Sequence, residues 1–105
     1  MRILLDECVH AGVKKAFPGH SVQTVPEAGW KSIKNGRLLS LVAGKFDVFL
    51  TIDQNLRHQQ NLAGLPFAIL IVAVPDNRLE SYLPLFAQLR AAIDNLKPGS
   101  VVVIS

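Results

Sequence analysis

Cysteine, acidic side chains and long apolar runs are all scarce in this chain. Its one cysteine, Cys8, excludes an internal disulfide framework and suits a reducing compartment. No apolar stretch approaches the roughly 18–20 residues that a membrane span needs. The opening Met1-Arg2-Ile3-Leu4-Leu5 is interrupted at once by Asp6-Glu7, which is not the plan of a signal peptide; a cytoplasmic protein is expected. A glycine-rich phosphate loop of the Walker or dinucleotide type is missing, which argues against a nucleotide-cofactor enzyme. No repeat or low-complexity tract is present, and His10, His20 and His58 share no zinc spacing with Cys8.

What remains is a chain of 105 residues, 50% hydrophobic and 18% charged, which specifies one globular domain with a single core. The formal charge is +3, from 11 Lys and Arg against 8 Asp and Glu. The basic residues are dispersed, so the charge is compatible with nucleic acid without being diagnostic of it. With so few carboxylates, any that gather in space need a physical reason.

Arg2–Leu5 reads as a first strand and Val9–Phe17 as a helix stopped by Pro18-Gly19. Ser21–Val25 reads as a second strand, followed by a loop, Pro26–Lys34, that carries Gly29-Trp30. Asn35 is placed as the cap of a helix that Gly44 ends. Val48–Ile52 is a β-branched and aromatic run, hence a buried strand, with a short helix after it from about Asn55. Phe67–Val74 is almost wholly apolar, as in a parallel strand covered on both faces. Leu79–Leu96 carries an apolar stripe at helical spacing through Leu79, Leu83, Phe86, Leu89, Ile93 and Leu96, and Val101–Ile104 is a closing strand. Strands alternating with helices predict a small three-layer α/β domain with a mostly parallel central sheet.

Strand polarity then sorts the carboxylates. Asp6 and Asp53 each follow an apolar strand and Asp76 follows the next, so parallel strands bring all three to one rim; Asp47 opens its strand and belongs at the opposite rim. Carboxylates converging on one rim repel each other unless a cation neutralises them, which points to Mg²⁺ or Mn²⁺. Such an ion polarises a phosphate and activates water for phosphodiester hydrolysis. Asp6, Asp53, Glu7 and Asp76 are the candidate ligands, and Asn55, Gln59, Gln60 and Asn61 can orient water or phosphate. Each has a plainer reading: Asp53 as an Asx turn or helix cap, Asp76 as a turn residue, Glu7 as a favourable charge at a helix start.

The quoted residues resemble a known family. Leu4-Leu5-Asp6-Glu7, Gly29-Trp30 before Asn35-Gly36-x-Leu38-Leu39, Phe46-Asp47-Val48 and Thr51-Ile52-Asp53-Gln54-Asn55-Leu56 look like the small PIN-like proteins of the PIN-domain ribonuclease superfamily. The resemblance runs through essentially the whole chain. It implies a Rossmann-like PIN fold, Mg²⁺- or Mn²⁺-dependent cleavage of RNA, and, as in many bacterial members, a toxin neutralised by an antitoxin protein. By motif position it makes Asp6 and Asp53 the metal ligands of the first and third strands. The chain departs from the pattern at Arg37, where such proteins usually carry a further carboxylate. A guanidinium cannot ligate a cation. Either Glu7 or Asp76 completes the site, or Arg37 faces solvent and fewer protein ligands suffice. The remaining alternative is a catalytically inactive module binding RNA or protein, with Arg37 as an internal counter-charge in place of the metal-binding carboxylate.

Other residues have two readings each. Cys8 invites a thiol mechanism only if a base lowers its pKa. Trp30 either stacks on a base or packs its loop onto the sheet. Lys31, Lys34, Arg37 and Arg57 either flank an RNA path or form a solvated face. Leu83-Pro84-Leu85-Phe86 buries against a second copy, giving a homodimer, or against the chain's own sheet.

Overall fold

A computed structural model describes residues 1–105. Five strands, β1 (Arg2–Leu5), β2 (Ser21–Thr24), β3 (Val48–Thr51), β4 (Ala68–Val72) and β5 (Val101–Ile104), form one sheet in the order β2-β1-β3-β4-β5. Every neighbouring pair is parallel. The helices are α1 (Asn35–Val42), α2 (Leu56–Gln59), α3 (Leu79–Tyr82) and α4 (Phe86–Ile93), with 3₁₀ segments at Ala11–Ala16 and Leu83–Leu85.

The composition of the strands explains their order. β3 and β4 are buried at every residue, as central parallel strands covered on both faces must be. Their alternate side chains feed two cores. On one face Ile3, Leu5, Val48, Leu50, Leu70 and Val72 meet Val13 and Ala16 of the 3₁₀ segment, Tyr82 of α3, and Leu89 and Ile93 of α4. On the other, Leu4, Phe49, Ile69 and Ile71 meet Leu38, Leu39 and Val42 of α1 and Leu56 of α2. The result is the expected three-layer α/β domain, with an entirely parallel sheet.

Local structure departs from the sequence reading where short-range chemistry overrides apolar spacing. The segment expected as a helix over Val9–Phe17 is a 3₁₀ helix over Ala11–Ala16, opened by His10, whose Nδ1 accepts from the Gly12 N–H at 2.9 Å. The long helix expected over Leu79–Leu96 breaks at Leu83–Leu85, because Pro84 supplies no N–H and its ring crowds the preceding turn. The break takes Leu83 off the predicted stripe and leaves it 50% exposed, while Tyr82 is fully buried. Leu85 and Phe86 pack on the domain's own core. β3 stops at Thr51, not Ile52, because the Thr51 hydroxyl accepts the Asp53 N–H at 3.1 Å and turns the chain. α2 is a single turn ending at Gln59.

The two edges of the sheet differ. On β2 the Thr24 N–H donates to Glu27 Oε1 at 2.9 Å, and Glu27 is paired with Lys14 at 2.6 Å. The Thr24 carbonyl accepts from the Ala28 N–H at 3.0 Å. On β5 the outer edge carries no charge and no proline, and Val103 is 42% exposed. Charged side chains on an edge block pairing with another strand, and a bare apolar edge permits it.

Candidate functional site

In an open parallel sheet, ligands bind beyond the carboxyl ends of the strands, where the strand order reverses direction. Here that switch lies between β1 and β3, since the chain steps outward from β1 to β2 and then returns past β1 to β3. Asp6 follows β1 and Asp53 follows β3, so the two carboxylates flank the switch point. Asp47 lies at the opposite rim as expected, where the Arg2 N–H donates to its Oδ2 at 2.7 Å and the Arg2 guanidinium pairs with Oδ1 at 3.4 Å. Those contacts hold the Asp47 carboxyl below the usual range, the Arg2 N–H contributing most.

Asp6 is 8% exposed, and both of its carboxylate oxygens accept hydrogen bonds from the chain. Its Oδ1 accepts the Glu7 N–H at 2.9 Å, and its Oδ2 accepts the Thr51 hydroxyl at 2.8 Å and the Cys8 thiol at 3.5 Å. Its own N–H extends the ladder to the Leu50 carbonyl at 2.9 Å. Burying a carboxylate is tolerable only with such partners. Thr51, itself fully buried, gives its proton to Asp6 and takes the Asp53 N–H in return. One hydroxyl thereby fixes the side chain of one carboxylate residue and the backbone of the other.

Asp53 is half-buried. Its Oδ1 accepts the Asn55 N–H at 3.0 Å, the Asx turn that leads into α2, and its Oδ2 accepts Asn35 Nδ2 at 3.5 Å. Asn35 is therefore not the cap of α1 that the sequence suggests. Lys34 occupies the cap position without a side-chain bond, and Asn35 opens the helix with its amide turned to Asp53. The Asn55 side chain is exposed and makes no capping bond.

The other two candidate ligands are used elsewhere. Glu7 Oε1 accepts the Ser32 N–H at 2.9 Å, pinning the Pro26–Lys34 loop to the rim. Ser32 adopts φ +65, a left-handed backbone that costs a side-chain-bearing residue on the order of 1 kcal/mol or more. Asp76 Oδ1 accepts the Ser81 hydroxyl at 2.6 Å and the Arg78 N–H at 3.0 Å, and its Oδ2 pairs with Arg78 Nε at 3.5 Å. Those bonds, Ser81 first, hold its carboxyl below the usual range. No group of three or more His, Cys, Asp or Glu side chains is gathered as a ligand set. The pair Asp6 and Asp53 is what the switch point offers.

That pair is an all-oxygen donor set, the kind that suits a hard divalent cation. Mg²⁺ is commonly held by one or two carboxylates with waters completing its shell. A carboxylate has about four acceptor positions, so the donors on Asp6 and Asp53 leave lone pairs available.

Arg37 is exposed and belongs to none of the three ion pairs, which are Arg2–Asp47, Lys14–Glu27 and Arg78–Asp76. The internal counter-charge considered from the sequence is therefore not formed. Lys31, Lys34 and Arg57 are likewise exposed and unpaired. Burial, reinforced by the Asp6 charge, pushes the Cys8 thiol above its ordinary value, which disfavours the thiolate that a nucleophile needs. Gln60 and Asn61 line a groove with Gly36, Leu39 and Ser40. Trp30 meets Phe46 edge to face at 5.8 Å and packs its loop on the second core.

None of the four surface concavities is lined by Asp6 or Asp53. Thr51, Asn35 and Ser32 are the participants that sequence reasoning gave no role at this rim. Thr51 alone left a signal, a hydroxyl two residues before a strand-end carboxylate. No family model matches the chain, and no curated protein or solved structure matches it either.

Proposed function

We propose that this chain is a Mg²⁺- or Mn²⁺-dependent ribonuclease of PIN type, acting in the cytoplasm as the toxin of a toxin–antitoxin pair. The observation that carries the reading is the juxtaposition of Asp6 and Asp53 across the switch point, tied together through Thr51. Asp6 and Asp53 would hold the cation. When bound, such an ion supplies Lewis-acid polarisation of a phosphate oxygen and a more acidic water. The chain's own residues do the rest. Asn35 and the Asx turn orient Asp53, Thr51 and the Glu7 N–H orient Asp6, and the exposed Asn55 side chain can position water or phosphate. Lys31, Lys34, Arg37 and Arg57 supply unpaired positive charge for an RNA backbone. The antitoxin and the RNA substrate follow from the family resemblance. No helix is long and apolar enough to cross a membrane.

A second reading, a non-catalytic module binding RNA or protein, is favoured by one observation. The Asp6 carboxylate already has three donors inside the chain, and no third carboxylate joins it. Heat denaturation with and without Mn²⁺, beside an Asp6→Asn/Asp53→Asn double variant, separates the two. A ligand that prefers the native state raises the midpoint by mass action. The nuclease reading expects a shift in the wild type alone, and Mn²⁺-dependent RNA cleavage abolished by Asp53→Asn. Midpoints that ignore millimolar Mn²⁺, with no cleavage, leave the binding module.

A further inference from the structure

A concavity of about 420 Å³ lies beside β2, lined among others by Arg2, Gln23, Glu27, Trp30, Lys45 and Phe46. Its volume falls within the roughly 300–1,000 Å³ usual for small-molecule sites. We propose that it is a nucleotide subsite, taking one nucleotide of a single-stranded RNA whose chain continues over the Trp30–Lys34 loop to the acidic rim. The proposal deepens the ribonuclease reading and rests on RNA being the ligand.

Three observations point to a nucleotide. The half-buried Trp30 ring is held edge to face by Phe46 at 5.8 Å, which gives a rigid aromatic wall of the kind on which bases stack. Lys45 Nζ lies 5.4 Å from the centroid of that ring and belongs to no ion pair. The ammonium stands over the face of the ring, so a base that stacks there displaces it and leaves it to meet the nucleotide's phosphate. Arg2 adds a guanidinium fixed by Asp47 and by the Gly44 carbonyl at 3.4 Å. The exposed Gln23 amide, with both donor and acceptor positions, lines the same concavity and is suited to a base edge. A bare phosphate has no use for the ring, and an apolar ligand has none for the cations.

Arg2 and Lys45 lie at the amino ends of the strands, and the Pro26–Lys34 loop spans from there to the acidic rim. Trp30 is followed by Lys31 and by Ser32, whose N–H is bonded to Glu7 beside Asp6. One loop thus carries both the aromatic wall and the contact that reaches the carboxylates. A nucleotide held at Trp30 would fix which later phosphodiester lies over Asp6 and Asp53, making this a positioning subsite.

Trp30 is the only tryptophan, so intrinsic fluorescence reads the subsite directly. The experiment titrates the protein with a single-stranded RNA of about ten nucleotides, within the footprint of single-strand binders, and separately with AMP and UMP. Labelled-RNA anisotropy provides an independent affinity. Saturable quenching by the oligomer is expected, with Lys45→Glu and Gln23→Ala, both at exposed positions, each weakening binding, Lys45→Glu by about tenfold and with a shallower salt dependence, as one lost phosphate contact requires. The Asp6→Asn/Asp53→Asn variant in EDTA should still be quenched. RNA that binds while Trp30 emission is unchanged, or with equal affinity for Lys45→Glu, overturns the subsite, as does an absence of binding. Mononucleotides that bind as tightly as the oligomer overturn the strand-positioning role. Cleavage without quenching removes the subsite and spares the nuclease reading; quenching without Mn²⁺-dependent cleavage does the reverse.

Discussion

Thr51 Oγ1 lies 2.8 Å from Asp6 Oδ2 and donates its proton there, between two residues 45 positions apart in the chain. The bond joins the ends of β1 and β3 beyond their backbone ladder. Thr51→Val keeps the shape but leaves the buried Asp6 oxygen and the Asp53 N–H each short of a partner. An unsatisfied buried group costs about 1–3 kcal/mol, so a loss in that range is expected in urea denaturation. Thr51→Ser, which retains the hydroxyl, should lose less. Equal losses for Val and Ser would mean that the methyl group, not the bond, matters.

Acid should weaken the fold through Asp47 and Glu27. Arg2 depresses the Asp47 carboxyl, its N–H before its guanidinium. The Lys14 partner, followed by the Thr24 N–H, lowers Glu27 from 4.5 to about 2. A carboxyl whose folded pKa is depressed stabilises fully above its unfolded value and loses that contribution as pH falls through the folded one. For Glu27 the window runs from 4.5 down to about 2. Urea midpoints measured across this window should fall with pH, and Glu27→Gln with Asp47→Asn should reduce the slope of the curve to the part that Asp76, also held low, contributes. Salt should flatten it too, because both pairs are solvent-exposed.

Cys8 should react slowly. Its thiol is half-buried and pushed up first by burial and then by the Asp6 charge, and alkylation requires the thiolate. Iodoacetamide at neutral pH is expected to label the native protein several-fold more slowly than the urea-unfolded chain. Asp6→Asn removes the neighbouring charge and should speed native labelling. Unchanged labelling in that variant would leave burial as the sole cause.

Strand polarity was readable from the alternation of strands and helices along the chain. The apolar runs through Leu5 and Ile52 are each followed by an aspartate, and once all strands are parallel those aspartates must share a rim, with Asp47 at the other. The contacts that decide what those carboxylates do were hidden. Asn35 looks like a helix cap because caps are local, whereas its partner Asp53 lies 18 residues on. Glu7 and Asp76 look free because nothing in the spacing reveals the Ser32 N–H or the Ser81 hydroxyl. The apolar period of Leu79–Leu96 obscured the effect of Pro84, which interrupts the helix without changing the pattern of hydrophobic residues. The spacing of Val13 and Ala16 fits a 3₁₀ turn as well as an α-helix.

The unequal edges of the sheet set a valence. Fibre growth by strand addition requires two receptive edges per molecule, and at the Thr24 end of β2 both outward backbone groups are already taken by Glu27 and Ala28. The two edges are therefore not interchangeable, and pairing through β5 favours a pair of copies over a growing fibre.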